Sequence, residues 1–104
     1  MDKIKDKKIK NFLVKLKKHF KPEKVILFGS RARKDFLKDS DYDFIIVSDE
    51  FKKYVFLERI TQVVKKCGIF FSADLLCYTP KEFIKKAKQI GIVSTAVKEG
   101  KNLI

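Results

Sequence analysis

Histidine is almost missing from this chain. His19 is the single copy, so a histidine-based metal cluster cannot be assembled and any catalytic triad would have to use His19. It stands beside Lys17 and Lys18 and reads as a surface helix residue. Cysteine is scarce too. Cys67 ends a helical pattern and Cys77 lies inside a strand pattern, which suits small buried hydrophobes better than a disulfide or a metal pair. No run reaches the ~18–20 apolar residues of a membrane span. The Lys/Asp-rich N-terminus has no apolar segment behind it, so a secretory signal is not expected either, and the composition points to a cytoplasmic protein. No internal repeat or low-complexity linker divides the chain. One small domain is expected over residues 1–104, with an N-terminal helix in 1–21, a central core in 24–78, and helices and a tail in 79–104.

Arginine is also in short supply. The formal charge is +12, yet only Arg31, Arg33 and Arg59 are arginines among 25 basic residues. Arginine is the usual reader of guanine edges, so sequence-specific nucleic-acid readout is disfavoured, although the charge itself attracts polyanions or acidic proteins. Two readings of the lysines stay open: solvated helix faces, with the scarce Asn and Gln of a thermophile-like chain, or a partner-binding basic surface.

What is present is an alternation of helical and strand patterns. Ile9, Phe12, Leu13, Leu16 and Phe20 form a helical stripe within residues 3–20, which Pro22 ends. Residues 24–29 read as a strand, 31–38 as a short helix and 42–48 as a second strand. Residues 51–67 place Phe56, Ile60, Val63, Val64 and Cys67 on one helical face, with Gly68 as C-cap. Residues 69–78 read as a third strand. Thr79, Pro80 and Glu82 give three agreeing signals for a helix start, and that helix is expected to run to about Gln89. A further helical stretch covers about 91–98 before Gly100 and a short tail. The order α-β-α-β-α-β-α predicts a two-layer α/β domain.

The chemistry concentrates in GSRARKDFLKDSDYD. Gly29-Ser30 follows the apolar run Val25–Phe28, and ten residues later Asp41-Tyr42-Asp43 opens a second apolar run. Residues i and i+2 of a strand share a face, so Asp41 and Asp43 can reach one metal ion. A Gly-Ser turn at a helix start suits phosphate, because glycine admits close backbone approach and the helix offers free N–H groups. Arg31 and Arg33 are either neutralisers of pyrophosphate charge or surface cations. Asp74 is a lone acid among Phe, Ala, Leu and Cys. If buried it needs a partner or a metal, and the other reading is an exposed strand position or turn. Carboxylates that hold two divalent ions about 4 Å apart, next to a phosphate cradle, fit nucleotidyl transfer.

These residues resemble the minimal nucleotidyltransferases (MNT) of the DNA polymerase β superfamily, whose signature is Gly-Ser, ten residues, Asp-x-Asp and a third Asp on a later strand. The chain departs from it at Lys34, where relatives often carry glycine. The resemblance spans nearly the whole chain and implies a small mixed sheet flanked by helices in a polymerase-β-like fold. It implies ATP as substrate and two Mg²⁺ ions. Asp41 and Asp43 would hold both metals, and Asp74 the catalytic one. Asp74 would also help deprotonate the attacking hydroxyl, while Gly29 and Ser30 hold the β- and γ-phosphates. It implies, finally, a HEPN-family toxin as partner in a hetero-oligomer, with AMP placed on a tyrosine of that toxin. An antitoxin that acts by binding alone, a small-molecule nucleotidyltransferase and a nucleic-acid-binding module are the competing readings.

Overall fold

The computed structural model describes residues 7–29, 42–69 and 73–104. The first helix, α1, spans Lys7–Phe20 and buries Ile9, Phe12, Leu13, Leu16 and Phe20, the stripe read from the sequence. Each such side chain removed from water contributes roughly 1.5–3 kcal/mol. The helix stops because Lys21 turns into the left-handed region (φ +46°) and Pro22 cannot continue it.

Strand β1, Lys24–Phe28, runs antiparallel to β2, Tyr42–Val47. Ser48 then caps a 3₁₀ turn over Asp49–Lys53. Its hydroxyl accepts from the Glu50 N–H and donates to the Phe20 carbonyl, which ties the turn to the end of α1. Helix α2, Phe56–Cys67, ends at Gly68 (φ +67°) and leads to β3, Ala73–Tyr78, which lies parallel to β2. Helix α3, Pro80–Ala87, starts with the capping box foreseen at Thr79 and Glu82. Helix α4, Ile92–Glu99, leads into β4, Lys101–Asn102, antiparallel to β1.

The sheet order is β3-β2-β1-β4, with both parallel and antiparallel neighbours. Strand alternation splits its side chains into two cores. Val25, Leu27, Phe44, Ile46, Leu75 and Cys77 pack with α1 and α2. Ile26, Ile45, Val47 and Tyr78 pack with Phe83 of α3 and Val93 and Ala96 of α4. The mixed sheet flanked by helices is as expected. The layer count is not: helices cover both faces, so there are three layers instead of two.

Other differences have local causes. The segment 51–67 is not one helix, since the 3₁₀ turn and an extended Val55 precede α2. The inward stripe of α2 is therefore Arg59, Val63 and Cys67, with Ile60 at its margin, while Phe56 and Val64 are 38% and 45% exposed. Arg59 is buried because its guanidinium has four partners. It donates to the carbonyls of Tyr54 and Cys77 and to both carboxylate oxygens of Glu82, at 2.6 and 3.2 Å. Helix α3 ends two residues before Gln89. The tail contributes β4, unforeseen because two residues carry no periodicity. The expected short helix over 31–38 and residues 70–72 of the expected third strand lie outside the described residues, and Ile69, its expected first residue, is not in a strand. No helix among the described residues is long and apolar enough to cross a membrane.

Candidate active site

Two acids far apart in sequence meet because of strand direction. β1 is antiparallel to β2, so the end of β1 lies beside the start of β2, and parallel β3 starts at the same end. Phe28, Asp43 and Asp74 consequently form one row across the sheet: Phe28 pairs with Asp43, and Asp43 with Asp74. Neighbouring strands lie ~4.8 Å apart and paired residues share a face. The two carboxylates therefore stand side by side on the face covered by α3 and α4, at its open end.

Gly29 follows at once. Its φ is +78°, which glycine adopts without penalty, and a Cβ placed on it would lie 2.5 Å from Asp43 Oδ2. Gly29 thus lies so close to the Asp43 carboxylate that any side chain at this position would have to displace it. Asp43 is half-buried there. Asp74 is exposed, so the costly buried acid considered from the sequence is not found; its claim to the site is its register with Asp43. Ser30, Arg31, Arg33 and Asp41 lie outside the described residues.

Beside this row opens a cleft of about 360 Å³ lined by Phe28, Gly29, Gly91, Ile92, Thr95 and Glu99. Its far wall is Gly91 and the face of α4 that carries Ile92, Thr95 and Glu99, residues the sequence pattern did not single out. The one available signal was Gly91 ahead of a helical stretch, and it says nothing about which strand the helix will cover.

Both cysteines are buried and free, as expected. Burial pushes the Cys67 thiol up to about 11 and the Cys77 thiol to about 12, so neither supplies a thiolate nucleophile near neutral pH. His19 lies in the last turn of α1 and is exposed. Among the described residues, the chemistry near the cleft is that of carboxylates, backbone and the Thr95 hydroxyl. Adjacent like charges repel, and hard oxygen donors in that arrangement suit a divalent cation such as Mg²⁺.

A family model described as a nucleotidyltransferase domain matches residues 7–101. A protein of Methanocaldococcus jannaschii, named a putative protein adenylyltransferase, is 39% identical over 70 residues, which is 65% of this chain and 69% of that one. Among solved structures, a putative nucleotidyltransferase from Sulfolobus solfataricus matches with a TM-score of 0.55 at 23% identity. The match covers 96% of this chain and 88% of that one. BolA1 from Arabidopsis thaliana matches with a TM-score of 0.56 at 17% identity, over 75% of this chain and 98% of that one. Both structural likenesses speak for the fold alone. The match over residues 7–101 takes in β1, β2 and β3, whose ends form the Phe28–Asp43–Asp74 row, and it places this chain in the nucleotidyltransferase domain family, as a minimal nucleotidyltransferase enzyme.

Proposed function

We propose that this nucleotidyltransferase moves AMP from ATP to a hydroxyl of a partner protein, that the partner is a HEPN-family toxin with tyrosine as acceptor, and that the transfer makes this chain its antitoxin. The observation that carries the transfer site is the row in which Asp43 and Asp74 stand side by side with Gly29 against Asp43. The relative named as a protein adenylyltransferase supports a protein acceptor. The toxin, the tyrosine and the antitoxin role rest on the family resemblance.

Asp43 and Asp74 fit Mg²⁺ by their donor chemistry and adjacency, and Asp41 is assigned to the same pair of ions. When bound, Mg²⁺ supplies charge stabilisation for the entering and leaving oxygens of the displacement. The chain's own residues do the rest. Gly29 and Ser30 bind the β- and γ-phosphates through backbone N–H groups. Arg31 and Arg33 neutralise charge on the departing pyrophosphate. The nucleoside occupies the cleft between Phe28 and Ile92, whose volume lies in the range of small-ligand sites. Asp74, the more exposed acid, accepts the proton of the attacking hydroxyl as the acceptor oxygen bonds to the α-phosphorus and the α–β bridging P–O bond breaks.

The test is the intact mass of a candidate HEPN partner after incubation with this chain, ATP and Mg²⁺. A gain of one or more AMP units is expected, abolished by Asp43→Asn with an unchanged circular dichroism spectrum. No gain with a stable complex would replace this reading by an antitoxin that acts through binding.

A further inference from the structure

We propose that the lysine-covered outer surface of α1, continued by the end of α2, binds the phosphodiester backbone of nucleic acid, on the side of the sheet away from Asp43 and Asp74. The inference is independent of the acceptor assignment. It starts from where the charge sits. Helix α1 contains no acidic residue, and Lys7, Lys15, Lys17 and Lys18 are exposed along it. Lys65 and Lys66 are exposed in the last turn of α2. The two sets form one surface: Lys15 and Lys66 both act on the Cys67 thiol, and the Lys66 ammonium lies 5.5 Å from the Phe20 ring centre. Among the described residues, acids next to this surface are few. Asp49 and Glu50, in the turn tied to the end of α1, already pair with Lys52 and Lys53, and Glu23 is exposed past the helix exit.

The character of the surface selects the partner. Protein interfaces are enriched in aromatic residues and arginine and depleted in lysine. Here Phe12 and Phe20 turn inward, no described arginine lies on this face, and Val14 and Val64 are its exposed apolar side chains. Tyr54, half-buried beside Lys66, is the one aromatic ring at its edge among the described residues, and a row of lysines with no arginine anchor is a poor protein hot spot. It is a sufficient phosphate binder, because counterion release needs only cations in sequence. With no described arginine on this face and Asn11 as the exposed amide of α1, most of its contacts go to phosphate, which carries no sequence information.

The location adds a functional property. The inward stripe of α1 packs with Phe44 and Ile46, whereas Asp43, one position away in β2, points to the other face. A nucleic acid lying on α1 leaves the carboxylates and their cleft open. The transferase can then work while held on RNA or DNA.

Fluorescence anisotropy with a short single-stranded RNA and with a DNA duplex, from ~50 to ~200 mM salt, tests this. The quadruple variant Lys15→Gln, Lys17→Gln, Lys18→Gln, Lys65→Gln is expected to bind at least about tenfold more weakly on either probe, with a log–log salt slope on the single strand shallower by about 0.7 per lost contact. A charge-matched control, Lys81→Gln, Lys85→Gln, Lys86→Gln on α3 and Lys88→Gln at its C-cap, is expected to retain most of the affinity, and circular dichroism is expected to show all three proteins folded alike. Equal losses in both sets would reduce the effect to net charge and overturn the proposal. So would undetectable binding of wild type at the lowest salt.

Discussion

A methyl group is all that separates Gly29 from a clash with the Asp43 carboxylate. Gly29→Ala must accept a positive φ and move the Asp43 carboxylate, which would lie 2.5 Å from the new Cβ. We expect a stability loss of about 1–2 kcal/mol, a fall in melting temperature of roughly 4–15 °C, and loss of transfer, read by thermal melting and by label from α-labelled ATP. Asp74→Asn separates chemistry from stability. It removes a carboxylate facing another carboxylate, so the melting temperature without divalent ions holds or rises slightly, while turnover falls about 100-fold or more. Wild type should gain thermal stability on adding Mg²⁺, and Asp74→Asn should gain little; equal gains would remove Asp74 from the metal site. The buried thiols give a pH prediction. Both are raised above their ordinary value, Cys67 to about 11 and Cys77 to about 12, so the folded state holds protons that the unfolded chain has released. Stability from this source is complete below pH 9 and declines above it, which urea midpoints at pH 8 and pH 10 would reveal.

The elements are fixed by contacts that differ in range, and this decided what could be read in advance. The start of α3 was legible because Thr79, Pro80 and Glu82 act within one turn. The stripe of α1 was legible because its pattern is complete within the helix. Arg59 was not legible, because a charged residue on a helix face reads as solvent-facing until Glu82 is brought to it through the β3 crossover. Of the site, the motif announced Gly29 and Asp43, and Asp74 stood out as a lone acid. That Asp74 sits beside Asp43 follows from strand pairing, which no local pattern encodes. Glu82→Gln should cost about 2–3 kcal/mol, less than for a fully buried pair because Glu82 keeps part of its solvent contact while Arg59 is 6% exposed. The Arg59 guanidinium holds the Glu82 carboxyl below its ordinary value. Its contribution is present above about pH 4.5 and is lost as pH falls through the lowered value, so the difference between wild type and Glu82→Gln in urea midpoints should close in acid.

At the scale of the whole molecule, a formal charge of +12 on 104 residues means that the folded state confines lysines that the unfolded chain keeps farther apart. Screening relieves that repulsion. Raising salt from about 20 to about 300 mM should raise the melting temperature by a few degrees; a fall would show that the ion pairs outweigh the repulsion. The pairing of β3 with β2 has a consequence of its own. Slipping β3 by one residue would exchange its faces, turning Leu75 and Cys77 toward the α3 side and driving Asp74 in beside Phe12 and Phe44. Burying that carboxylate among aromatic rings is costly, and turning Leu75 out of its core adds to the cost. The acid read here as catalytic thus also proofreads the fold: a chain with misaligned strands loses its stability together with its site.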